Sequence, residues 1–133
     1  MNILADTRGL IALIDRHSDY HQAARIYADD IIVPSTVLPE FDHVATNLVG
    51  ARVVRIFYAS LATGETSYIA ADLADLEHAF DIMDTYQDTP IGLVDASLVT
   101  LAERYSLRRI LTLDKRHFLM FKPQGLGYLE LLP

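Results

Sequence analysis

The sequence predicts an α/β fold on a mainly parallel central sheet of about four to five strands, and three observations carry that prediction. Short apolar, β-branched runs alternate with longer stretches whose apolar residues recur at helical spacing. Strands separated by helical connections of this length pair in parallel. No repeat, low-complexity tract or Pro/Gly/Ser linker interrupts the 133 residues, so residues 1–133 read as one domain.

The elements follow in order. Asn2 to Ala5 is an apolar run ending at Asp6 and reads as a buried strand. From Leu10 to Ile14, and again from Tyr20 to Tyr27, the spacing is helical, with Ser18 or Asp19 capping the second stretch. Ile31-Ile32-Val33 forms a second strand stopped by Pro34. A helix then runs from near Ser35 to near Asn47, with Pro39 in its first turn, where little or no backbone donor is lost. Gly50 separates a further helix, Ala51 to Ala62, and Ser67 to Ala70 reads as a third strand. Between Asp72 and Tyr86, Leu73, Leu76, Ala79, Phe80 and Met83 share one helix face. After the Thr89-Pro90-Ile91-Gly92 break, Val94, Leu98, Leu101, Ala102 and Tyr105 make another helical stripe. Arg109 to Leu113 is a fourth strand ending at Asp114, followed by a short helix or turn, and Gly127 to Leu132 adds an edge strand.

Composition narrows the function classes. A hydrophobic content of 51% excludes a disordered chain. No apolar run approaches the roughly 18 residues that span a bilayer. The start, Met1-Asn2-Ile3-Leu4-Ala5-Asp6, lacks the basic and apolar regions of a signal peptide, so a soluble cytoplasmic protein without membrane association is expected. With no cysteine there is neither a disulfide framework nor a thiolate metal site, which leaves oxygen or imidazole ligands. The net charge of −7 conceals an uneven distribution. Between Ile56 and Glu103 there are nine acidic residues and no Lys or Arg, whereas Arg104, Arg108, Arg109, Lys115, Arg116 and Lys122 crowd the next stretch. That basic segment would suit one wall of a nucleic-acid groove, or simply a solvated surface.

Chemistry concentrates in four carboxylates. Asp6 and Asp114 each follow a strand, which puts them at the sheet's carboxyl edge, where open α/β folds bind ligands. Asp95 opens a helix, at the positive end of its dipole. Glu40 lies in the first turn of the helix after the second strand. Each has a plainer explanation: the three aspartates precede helical patterns and would serve as N-caps, and Glu40 would face solvent. Only the set argues otherwise, because independent caps have no reason to share one sheet edge. Carboxylates gathered in this way repel one another until protonation or a cation relieves them, and oxygen ligands suit Mg²⁺ or Mn²⁺. Such an ion lowers the pKa of a bound water and neutralises a phosphate, and two ions about 3.5–4 Å apart stabilise both the attacking and the leaving oxygens. Phosphodiester hydrolysis is the natural chemistry of that arrangement. Thr7 and Thr112 flank the carboxylates, where a hydroxyl can orient a ligand; for Thr112 the plainer reading is a strand-favouring side chain. Asp15, Asp19, Asp42 and Asp72 lack such positions and read as solvated. The five histidines show no metal-binding pair on one helix face, and there is no Gly-rich phosphate loop.

Four segments together resemble the PIN domain family. Ala5-Asp6-Thr7-Arg8-Gly9-Leu10-Ile11-Ala12-Leu13 is similar to its opening, and Pro34-Ser35-Thr36-Val37-Leu38-Pro39-Glu40 to its second motif. Gly92-Leu93-Val94-Asp95-Ala96-Ser97-Leu98 and Leu111-Thr112-Leu113-Asp114-Lys115-Arg116-His117-Phe118 resemble the third and fourth. The similarity is greatest to the VapC-type toxins of bacterial and archaeal toxin–antitoxin systems, and order, spacing and length agree over nearly the whole chain. It implies a three-layer sandwich and a Mg²⁺- or Mn²⁺-dependent endoribonuclease acting on tRNA or ribosomal RNA, leaving a 5′-phosphate and a 3′-hydroxyl. It also implies a cognate antitoxin and a homodimer. Carried over by position, Asp6, Glu40, Asp95 and Asp114 would be the catalytic and metal-binding quartet, with Asp6 and Asp95 as direct ligands. Arg8 departs from the small polar residue of many relatives and receives no role.

Two further readings differ in class. A phosphoacceptor signalling domain is also α/β with acidic residues at the sheet edge, but no adjacent acidic pair ends the first strand here. A catalytically silent PIN domain acting by protein binding alone would have no reason to hold four repelling carboxylates together. The Ala51–Ala62 helix, with Val54 and Phe57, is the expected contact region for a dimer or an antitoxin.

Overall fold

A computed structural model describes residues 2–89 and 91–133; Met1, and Pro90 of the expected break, lie outside the described residues. The first strand, β1 (Ile3–Ala5), is buried along its whole length because it sits in the middle of a five-stranded sheet of order β3-β2-β1-β4-β5. Its neighbours are β2 (Ile31–Pro34), in register Ile3↔Ile31, and β4 (Arg109–Leu111), in register Ile3↔Arg109. The edges are β3 (Ser67–Ile69) and β5 (Glu130–Leu132), and all four pairings are parallel. The sheet is thus wholly parallel, and its inner strands are continuous apolar runs because both of their faces are covered.

Successive strands step outward from β1 to β3, and the chain then crosses back to β4. Right-handed connections place the helices of those two halves on opposite faces. The helix contacts divide accordingly. On one side α1 (Thr7–Ile14) meets α2 (His21–Arg25) and α3 (Leu38–Val49), and α3 meets α4 (Ala51–Ala62); on the other, α5 (Leu73–Thr85) packs on α6 (Leu93–Tyr105). A short α7 (Lys115–Leu119) follows β4. Phe41 of α3 is fully buried and holds α4 through Phe57, with ring centroids 5.1 Å apart. Among the described residues no helix is long and apolar enough to cross a membrane.

Several expectations need correction. The helix foreseen from near Ser35 begins only at Leu38, after a 3₁₀ turn over Ser35–Val37, and Pro39 then stands within its first two positions. The stretch Tyr20–Tyr27 holds five helical residues followed by a 3₁₀ turn at Ala28–Asp30. In α5 the apolar stripe is rotated: Ala79 is buried as expected, but Leu73 and Phe80 are exposed, and Asp75 and Ile82 are buried in their place. Asp75 goes inside because it completes a capping box with Asp72 and pairs with Arg104 at 2.6 Å, so its charge is satisfied. Asp72 is therefore a structural cap and not merely solvated. Helix α6 is buried all round from Ala96 to Ala102, which erases the one-sided stripe and leaves Tyr105 outside. Val54 is a core residue, 2% exposed, so it cannot be a contact surface on α4; Val53 and Ile56 are the large apolar side chains exposed there.

Gly9 shows how closely α1 lies on the sheet. A Cβ at that position would stand 2.3 Å from the Leu111 carbonyl oxygen, so only glycine lets the first turn of α1 touch β4.

Candidate active site

That close approach brings the carboxyl end of β1 against that of β4. Asp6 is the N-cap of α1, its Oδ1 accepting the Gly9 N–H at 2.7 Å. Its other oxygen accepts the hydroxyl of Thr112, just beyond β4, and that hydroxyl oxygen in turn accepts the Asp114 N–H at 3.0 Å. Thr112 is therefore more than a strand-favouring residue: it holds Asp6 in place and sets the turn that carries Asp114.

Asp95 and Asp114 reach the same place differently. Asp95 is the third residue of α6, which is capped by Gly92, so the N-cap reading of Asp95 fails. Asp114 occupies the N-cap position of α7 but makes no capping hydrogen bond. Both carboxylates turn instead to His117, whose Nδ1 lies 3.3 Å from Asp95 Oδ2 and 3.1 Å from Asp114 Oδ2. Glu40, in the first turn of α3, is exposed at the mouth. All four carboxylates line one cleft of about 340 Å³, together with Thr7, Arg8 and His117. A hydrogen bond of 2.6 Å between Thr36 and Ser97 ties the turn before α3 to the turn of α6 that carries Asp95.

Electrostatics marks the inner wall. Burial, with the charges of Asp95 and Asp114, pushes the Asp6 carboxyl from 3.8 up to about 6, against the hydrogen bonds from Thr112 and Gly9 that lower it. Burial raises Asp95 as well, opposed by His117 and reinforced by Asp114 and Glu40. These groups sense one another's charge, and a cation would relieve them.

Whether a divalent cation fits can be judged from the donors. Asp6, Asp95, Asp114 and Glu40 offer the oxygen ligands that hard cations prefer. Thr7 adds a buried hydroxyl oxygen with no hydrogen-bond partner among the described residues, lining the same cleft. The chemistry fits, although among the described residues no three acidic or histidine side chains are gathered closely enough to enclose an ion as they stand. His117 occupies two of the carboxylates. His117 lies within the fourth motif, three residues after Asp114 on a helical turn, and that spacing is the only sign in the sequence of its place at the site.

Fold and site together define a class: an α/β domain whose parallel sheet delivers acidic side chains to one carboxyl-end cleft. The chain belongs to the PIN domain family, whose sequence profile matches residues 3–120. It is 35% identical over 135 residues to Ribonuclease VapC26 of Mycobacterium tuberculosis, covering 98% of this chain and 100% of that protein. Its fold resembles that of Mycobacterium tuberculosis VapC20, a Sarcin-Ricin loop cleaving toxin, with a TM-score of 0.79 at 16% identity over 98% and 99% of the two chains. It also resembles a chain of a toxin–antitoxin complex from Klebsiella pneumoniae, with a TM-score of 0.67 at 18% identity over 96% and 99%.

Proposed function

We propose that this chain is a Mg²⁺- or Mn²⁺-dependent endoribonuclease, the toxin of a toxin–antitoxin pair. The observation that carries the proposal is the convergence of Asp6, Glu40, Asp95 and Asp114 on one cleft, where burial and mutual repulsion hold the two inner carboxyls above their ordinary range. When bound there, a divalent cation supplies a water of lowered pKa and neutralises the phosphate under attack. In this reading Asp6 and Asp95 hold the cation from the inner wall, and Glu40 and Asp114 complete the set from the mouth. Thr112 fixes the Asp6 oxygens, and His117 steadies Asp95 and Asp114. Kinship to a ribonuclease along almost the whole chain supports RNA as the substrate, with tRNA or ribosomal RNA as the target. A cognate antitoxin is the proposed protein partner, and a homodimer the proposed assembly.

Cleavage of total cellular RNA by the purified chain, in Mg²⁺ or Mn²⁺ and in EDTA, tests the proposal, with Asp95→Asn alongside. Asp95 contributes no capping bond to α6 and its charge is disfavoured by burial, so the variant folds. Discrete metal-dependent fragments that vanish in Asp95→Asn are expected. A folded Asp95→Asn that still cuts would remove the quartet from the mechanism.

A further inference from the structure

A second groove of about 470 Å³ adjoins the acidic cleft, and Arg8 and Asp114 line both. Tyr20, Thr112, Leu113, Lys115, Arg116 and Pro133 complete its walls. The basic stretch of the sequence does not all serve this surface. Arg104 pairs with Asp72 and Asp75, Arg108 donates to the Leu126 carbonyl and covers the Tyr128 ring, and Arg109 faces Glu130 and Tyr27. Lys115 donates to the Pro133 carbonyl at 2.8 Å. Arg8 and Arg116, by contrast, are exposed and have no ion pair or side-chain hydrogen bond among the described residues. Two uncommitted guanidinium groups thus face the same groove.

Tyr20 adds a planar surface. Its side chain is 52% exposed, yet its backbone is fixed: the Tyr20 N–H donates to Ser18 Oγ at 3.2 Å, and the next residue, His21, bonds through Nδ1 to the Ala12 carbonyl at 2.8 Å. An aromatic ring held open on a pinned turn, in one groove with two guanidinium groups, suits the bases and phosphates of a single nucleic-acid strand. An acidic peptide would satisfy the guanidinium groups but has no planar partner for the ring.

We infer that this groove is a single-stranded RNA subsite, in which Arg8 and Arg116 hold backbone phosphates and Tyr20 stacks a base, leading the strand into the acidic cleft. The inference rests on the ribonuclease reading and adds to it the path of the substrate. Arg8 lines both grooves, so it would hold the strand where the subsite meets the acidic cleft.

The test measures binding of a labelled single-stranded oligouridylate to the full chain carrying Asp95→Asn, across a series of salt concentrations. Each phosphate contact on a single strand contributes about 0.7 to the slope of log K against log salt. Arg8→Gln and Arg116→Gln should each lower the slope by about that amount, and the double variant by about twice as much. Tyr20→Leu should leave the slope unchanged and weaken binding roughly tenfold. Arg52→Gln, on α4 outside the groove, should change neither. Unchanged slopes in the arginine variants, or an equal loss in Arg52→Gln, would overturn the subsite. So would an oligoglutamate peptide that displaces the RNA and depends on the same three side chains, since the groove would then be a peptide site. A wild-type chain that cuts RNA while the groove variants bind normally refutes the subsite alone; one that neither cuts nor binds RNA refutes the ribonuclease reading with it.

Discussion

Replacing Asp6 with Asn should stabilise the metal-free protein while disabling its cleft. The Asp6 carboxyl titrates near 3.8 when unfolded and near 6 when folded. Each pKa unit corresponds to 1.36 kcal/mol, so the ionised carboxylate costs the folded state about 3 kcal/mol. Burial is the main cause, followed on the unfavourable side by the charges of Asp95 and Asp114. The folded state binds the proton that the unfolded state has released, so this group's stabilisation is complete below pH 3.8 and is lost as pH rises through about 6. Asn carries no charge to desolvate and keeps the oxygen that accepts from Gly9. Its amide, however, meets the Thr112 hydroxyl as a donor, and the lost bond costs about 1 kcal/mol. The net expectation is a gain of about 2 kcal/mol above pH 7, measured by urea unfolding in EDTA, with no gain at pH 4. Saturating Mn²⁺ should reverse the order, since a ligand at 100 times its Kd adds about 2.7 kcal/mol to the protein that binds it. An Asp6→Asn variant less stable than wild type at pH 8 in EDTA, or a difference that does not change with pH, would refute the reasoning.

Three further outcomes are expected. Gly9→Ala should lose about 3 kcal/mol in denaturant unfolding, because its Cβ would meet backbone at 2.3 Å and neither side can yield. Thr112→Val keeps the volume but takes a hydrogen bond from Asp6 and an acceptor from the Asp114 N–H, so Mn²⁺ affinity measured by calorimetry should fall roughly 10- to 100-fold. Asp72→Ala removes a capping box and an Arg104 contact from α5, which should lower the midpoint of urea unfolding while the RNA cleavage rate of the folded protein is unchanged.

Much of this architecture was legible in the residues. Period and punctuation located all five strands, and the position of each acidic residue after a strand or at a helix start brought the four to one edge. What escaped was whatever depends on partners distant in sequence. The Thr112 hydroxyl reaches Asp6 across 106 positions, and Thr36 reaches Ser97 across 61, so neither spacing nor propensity distinguishes them from ordinary strand and helix residues. The rotated face of α5 has the same origin. Leu73 is 70% exposed while Asp75 is 6% exposed, because a carboxylate with a cap partner and a guanidinium is tolerated inside, and hydropathy counts neither. Val54 and Phe57 lie three apart on α4, but only the position of Phe41 decides that this face turns inward.

The central place of β1 bears on when the cleft assembles during folding. Its pairing with β2 joins residues about 28 apart, whereas its pairing with β4 joins Ile3 to Arg109. Contacts of the second kind close a long loop and form late. Until β4 docks, Asp6 is a solvated helix cap with neither Thr112 nor Asp114 beside it, and the half of the sheet from β1 to β3 can be complete while the cleft does not yet exist. The cleft is thus a property of the closed β1–β4 seam: a chain open there keeps Asp6 but lacks the hydroxyl and the second carboxylate that face it.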